Sequence, residues 1–208
     1  MKPLQLTLYI LISSFSIYFL SCQTKPDKSY SKIPINLSDT KSIIRAIEPD
    51  KKYDYWACVL SNPSLTIPRT EIITGRGDIK ELWRIKFTPP ETGFRSELFY
   101  GYYYIVYLKN NHVSVVRSGP ELINFIGKVN SLDKALLIAK IKGLDVDYSR
   151  PIGSSFKKVK NGFELHLVKF HKCPVKTEPY KVNIDSLGKL TSKSLGFYYN
   201  ISNGVCED

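Results

Sequence analysis

Histidine, tryptophan and methionine are scarce in this 208-residue chain, which has three, two and one of them. With three His and four Cys, few sets of converging metal ligands can be drawn, so neither a metal centre nor a cofactor is expected. Acid is in short supply too: 19 Asp and Glu face 30 Lys and Arg, a formal net charge of +11. Twelve Gly and twelve Pro are too few for a collagen-like or low-complexity chain. No internal repeat of solenoid or propeller length is visible. What remains, 43% hydrophobic and 24% charged residues, is the composition of a folded domain with enough chain to bury a core.

Charge is absent from residues 3–24, between Lys2 and Lys25. Residues 4–20 read LQLTLYILISSFSIYFL, an apolar stretch after a short basic start, which is the secretory signal pattern. As a helix these residues would rise roughly 26 Å, slightly short of the roughly 30 Å hydrocarbon core. The stretch ends Phe19-Leu20-Ser21-Cys22 and is followed by the polar run Gln23-Thr24-Lys25. This resembles the lipobox of bacterial lipoproteins, with Phe19 standing where Leu is commonest. The resemblance implies cleavage after residue 21, a thioether-linked diacylglycerol on Cys22 and an acyl chain on its new amino group. Each buried methylene contributes roughly 0.8 kcal/mol, so one acyl chain binds reversibly and several hold firmly. Gln23, rather than Asp, follows the cysteine, which by analogy with enteric sorting implies the outer membrane; the leaflet stays open.

The expected organisation is a signal peptide over 1–21, a lipidated tether over 22–37 and one α+β domain over 38–208, with a possible sub-boundary near 128–131. Residues 40–47, with Ser38 or Asp39 as cap, read as a short helix that Pro49 ends. Strands are expected over 53–60, 83–87 and 94–108, where Gly101 marks a bend, and over 113–117 after a turn at 109–112. A short helix is expected over 120–126. The best helix spans 131–142, with Ser131 as cap, Leu132, Ala135, Leu136 and Ala139 on its buried face, Lys140 and Lys142 at its negative end and Gly143 as its stop. A hairpin across Asn161-Gly162 and a turn at Asp185-Ser186-Leu187-Gly188 complete the chain. The fold class is therefore α+β, an antiparallel sheet of several hairpins packed against one main helix. Residues 131–200, a helix followed by meandering strands with a late D-x-x-G turn, are similar to PepSY-type and cystatin-like modules. That likeness implies inhibition or chaperone-like binding.

With Cys22 lipidated, Cys58, Cys173 and Cys206 allow three single pairings in a disulfide-permissive compartment. Cys173–Cys206 is favoured because both lie at strand ends, while Cys58 sits inside an apolar run and behaves as a buried hydrophobe. His171-Lys172-Cys173 suggests a thiolate beside an imidazole, yet no third orienting group follows, so no catalytic residue and no enzyme is assigned. Glu164 and His166 share one strand face, too few ligands for zinc. Arg76-Gly77-Asp78 resembles an integrin-binding loop and makes host adhesion an alternative function. Seven lysines between residues 157 and 181 would attract an anionic envelope polymer or another envelope protein, more weakly as salt rises. No nucleic-acid motif accompanies them, so no nucleic-acid partner is expected. In the aromatic run, Tyr100, Tyr102 and Tyr104 point to one side, and Phe99, Tyr103, Ile105 and Tyr107 to the other. These readings combine into a membrane-anchored, non-catalytic binding or structural module of the envelope.

Overall fold

A computed structural model of the chain describes residues 26–62, 69–78, 80, 88–97 and 101–201. Signal peptide 1–21, Cys22, the expected strand 83–87, Phe99, Tyr100 and Cys206 all lie outside the described residues. The rest is α+β with antiparallel pairing throughout, divided into two sheets rather than the single sheet expected.

The first sheet, five-stranded, is built on β2 (Tyr55–Asn62), flanked by β3 (Arg69–Gly77) and β5 (Gly101–Lys109). Both β4 (Arg95–Glu97) and β6 (His112–Val116) pair with β5. The aromatic run read as one bent strand over 94–108 thus folds back on itself, with Glu97 opposite Gly101. Gly101 (φ +96°) is where the return strand starts, and a Cβ there would lie 1.9 Å from the Ser61 carbonyl oxygen. Only glycine allows that approach. Lys109 pairs with His112 across Asn110 and Asn111, at φ 52° and 62°, the paired left-handed conformations of a two-residue hairpin turn.

The six-stranded second sheet runs β1 (Ser31–Lys32), β7 (Ser155–Val159), β8 (Gly162–Lys172), β9 (Val175–Asp185), β10 (Leu190–Ser194), with β11 (Tyr199–Ile201) also on β9. The predicted hairpin forms one residue early: Val159 pairs with Gly162, and Lys160 and Asn161 make the turn. Strand β9 passes through Pro179, which sits between the stretch paired with β10 and the stretch paired with β11. The late turn is as expected, with Asp185 Oδ1 accepting from the N–H groups of Leu187 and Lys189, each at 2.9 Å. The segment read as a tether is docked from Tyr30 onward: Ser31 and Lys32 pair with β7, and Ile33 and Leu37 are buried.

Three α-helices are present among the described residues: α1 (Thr40–Ala46), α2 (Gly119–Ile126) and α3 (Leu132–Ile141). Asp39 caps α1 through the Ser42 N–H. Ser131 occupies the cap position of α3 but its side chain makes no capping bond. Instead α3 is held by burial. A single apolar cluster takes in α1, α2, α3, the Trp56–Cys58–Leu60 face of β2, Tyr103 and Ile105 of β5, and Phe163, Leu165 and Leu167 of β8. The helices fill the space between the sheets, so α3 is covered on every side and buries Leu137 and Ile138 beyond the predicted face. That leaves Lys134 and Lys140 only 2% and 5% exposed. Lys134 pairs with Asp50 and donates to the Lys128 carbonyl at 3.1 Å. Lys140 pairs with Asp145 and donates to the Ser38 carbonyl at 3.3 Å. Buried ammonium groups persist only with such partners.

Candidate functional site

An aromatic cleft of about 250 Å³ opens where three distant stretches meet: Lys51–Tyr53 ahead of β2, the β5–β6 hairpin, and α2. Tyr53 stacks on Phe125 (centroids 4.9 Å apart, planes at 20°) and meets Tyr107 at 4.7 Å and 57°. Such offset and tilted pairs are the favoured aromatic geometries. Phe125 is buried, whereas Tyr53 and Tyr107 are half-buried and carry the surface of the cleft. Burial, followed by the neighbouring Tyr107, pushes the Tyr53 phenol up to about 12, so it stays a neutral hydrogen-bonding group.

Each wall is fixed by local chemistry. The hairpin is tied to the incoming strand by Asp54, whose Oδ2 accepts from the Asn110 N–H at 2.8 Å and whose N–H donates to the Leu108 carbonyl at 3.0 Å. Helix α2 starts with a capping box, in which Ser118 Oγ accepts from the Glu121 N–H and Glu121 Oε2 accepts from the Ser118 N–H. The same Oε2 takes the Arg117 N–H at 2.8 Å. These bonds hold the Glu121 carboxyl below its usual range, the Arg117 N–H contributing most. Asp50 then pins the far end of α2, accepting from the Lys128 N–H at 2.6 Å while it pairs with Lys134.

The rim is basic. Lys51 donates to Asn124 Oδ1 at 2.9 Å and to its carbonyl at 3.3 Å. Lys109 stands 6.0 Å over the Tyr53 ring, at the limit of a cation–π contact. Neither lysine has a carboxylate partner among the described residues. The cleft's one carboxylate among the described residues, Glu121, is turned to the backbone at the start of its own helix.

A second polar cluster gathers residues singled out from the sequence. Tyr30 donates to Glu164 Oε2 at 2.5 Å, Lys181 meets the same oxygen at 3.1 Å, and the Tyr30 ring lies 4.5 Å from that of His166. His166 Nδ1 is 3.1 Å from Ser155 Oγ, and desolvation lowers its pKa. This clasp closes the docked amino-terminal segment over the sheet. No group of three or more His, Cys, Asp or Glu side chains suited to a metal occurs among the described residues. Lys181, counted in the basic stretch, is thus engaged by Glu164; Lys169 pairs in register with Glu178, and Lys176 lies 4.5 Å over Phe197.

Other expected positions are scattered. Cys173, beside a cis bond to Pro174 at the β8–β9 turn, is disulfide-bonded, and Cys58 is a buried free thiol whose pKa burial pushes up. Arg76 and Gly77 are not in a projecting loop but end β3, opposite Trp56 and Tyr55, with Asp78 just beyond. Gly77 (φ +96°) is required there, since a Cβ would lie 2.2 Å from the Asp54 carbonyl oxygen. His171 bonds Glu178 at 2.8 Å.

The cleft itself was not assembled from the sequence. Its two Lys–Tyr stretches, Lys51–Tyr53 and Tyr107–Lys109, lie more than 50 residues apart along the chain, and only two local signals touched it: the turn at 109–112 and the side on which Tyr107 points. No helix among the described residues is long and apolar enough to cross a membrane. Comparison with known proteins finds no matching family, no matching curated protein and no matching solved structure.

Proposed function

We propose that this chain is a bacterial lipoprotein anchored through Cys22, whose folded domain is a non-catalytic binding module for an anionic envelope polymer. The observation that carries the binding role is the cleft: an aromatic floor on a rigid frame, rimmed by two lysines that have no salt-bridge partner among the described residues. Three separate chain segments converge on it, each held by a backbone-directed carboxylate. The main helix in this reading is α3, around which both sheets close. The apolar run ending at Cys22 carries the anchoring role, and the outer membrane is the destination favoured by Gln23. In the same reading Cys173 pairs with Cys206, tying the last residues to the β8–β9 turn in an oxidising compartment.

Metabolic labelling with an alkyne fatty acid, combined with capture of polymer from envelope extract, tests both halves. Wild type is expected to take up label and the Cys22→Ala variant to stay unlabelled, while both retain polymer. An unlabelled wild type overturns the anchor. Retention of no anionic polymer overturns the binding role.

A further inference from the structure

We infer that the cleft takes an acidic saccharide, with a sugar ring lying on Tyr53 and Tyr107 and its carboxylate or phosphate held by Lys51 and Lys109. The inference rests on the domain being a binding module and names the ligand class of that same site.

The hydrogen-bonding inventory of the rim points one way. Lys51 and Lys109 are donors only. Asn124 uses its Oδ1 to hold Lys51, which leaves its amide N–H groups, unbonded among the described residues, to face outward. The Tyr107 hydroxyl likewise makes no hydrogen bond among the described residues. Glu121, the one rim carboxylate among the described residues, accepts from the backbone of the α2 cap instead. A donor-rich rim selects an acceptor-rich ligand, and a cationic or purely apolar one would leave two ammonium groups opposed or desolvated.

The floor adds the second requirement. Tyr53 and Tyr107 meet at 57°, forming a shallow aromatic trough. Aromatic faces in this setting take up the apolar C–H face of a ring, while the Tyr107 hydroxyl serves its polar edge; the Tyr53 hydroxyl donates to the Phe125 carbonyl at 3.4 Å. A bare phosphate would use only the rim and a neutral sugar only the floor. At about 250 Å³ the cleft lies just under the roughly 300–1,000 Å³ of ligand pockets, the scale of a small ligand.

The test is a calorimetric titration of the full chain in detergent with trigalacturonic acid, glucose 6-phosphate, neutral galactotriose and inorganic phosphate. At least one acidic sugar is expected to bind about tenfold or more tightly than both galactotriose and phosphate, weakening as salt rises. Preference for trigalacturonate assigns a carboxylated polymer; preference for the sugar phosphate assigns a phosphorylated glycan headgroup. The pair Lys51→Ala/Lys109→Ala is expected to lose about tenfold in affinity with an unchanged urea midpoint, and Tyr107→Ala to lose about as much while also lowering the midpoint, because its ring packs on Tyr53 and Phe125. Equal binding of galactotriose or phosphate, variants that bind like wild type, or no binding by any of the four overturns the assignment. Should the lysine variant still capture envelope polymer as well as wild type does, the cleft assignment falls and the binding-module reading stands. A failed Cys22 labelling removes the anchor and leaves the cleft untouched.

Discussion

Lys134 and Lys140 in α3 and Lys51 and Lys109 at the cleft are the same side chain in opposite circumstances. The first two are almost wholly enclosed, each with a carboxylate and a backbone carbonyl as partners. The second two are exposed and have no carboxylate beside them among the described residues. A buried charge costs so much to desolvate that its partners become part of the fold. An exposed one adds little to stability whether or not it is paired. The fold and the proposed binding therefore use different lysines, and Asp50 stands at the junction, since it neutralises Lys134 and also fixes the end of α2 beside the cleft.

The sharpest way to break the comparison is Asp50→Ala. It strands the Lys134 ammonium in the core, and a loss of about 3 kcal/mol is expected, the lower end for breaking a buried pair because the Asp50 side is partly open to water. Chemical denaturation measures it directly. Adding Lys134→Met to that variant is expected to recover most of the loss, because no buried charge then lacks a partner. If the double variant is as unstable as the single one, burial of Lys134 is not what Asp50 serves.

Acid should act on the same contact. The Lys134 ammonium bonded to Asp50, followed by the Lys128 N–H, lowers the Asp50 pKa below its ordinary 3.8. A folded-state pKa below the unfolded one gives stability that is complete above the unfolded value and is lost as pH falls through the folded value. Urea midpoints are therefore expected to drop below about pH 4 in wild type, with a shallower drop in Asp50→Ala. Equal acid slopes in the two proteins would locate the titration elsewhere.

The smallest effect belongs to the exposed pair. Lys51→Ala and Lys109→Ala are each expected to change stability by no more than about 0.5 kcal/mol. A larger loss for either in urea titration would make it a structural lysine and erase the contrast with α3.

Legibility from sequence followed the range of the interactions. The 131–142 helix with its Gly143 stop, the Asn110–Asn111 turn, the Asp185–Gly188 turn and the alternation of Tyr103, Ile105 and Tyr107 against Tyr102 and Tyr104 were all readable, because each rests on neighbours a few residues away. Strand β3 was missed because Gly75-Arg76-Gly77 reads as a loop; pairing with β2 overrides that local signal. The docked segment at Ser31–Lys32 carries almost no apolar pattern of its own, and its place depends on the β7 edge and the Tyr30–Glu164 bond. Lys140 was placed correctly near the negative end of its helix, but nothing in the local pattern said that the end would be enclosed.

By itself, the amino-acid sequence determined the α+β class, the 109–112 and Asp185–Gly188 turns, the Gly143 helix stop and the alternation of the aromatic strand. These are consequences of backbone sterics, side-chain period and capping bonds, all of short range. Only the tertiary structure decided that the strands form two sheets, that α3 is covered on every side and buries two lysines, and that Lys51, Tyr53, Tyr107, Lys109 and Asn124 share one cleft. Closing long loops and desolvating a charge depend on which distant residues arrive to compensate, and one-dimensional spacing does not carry that information.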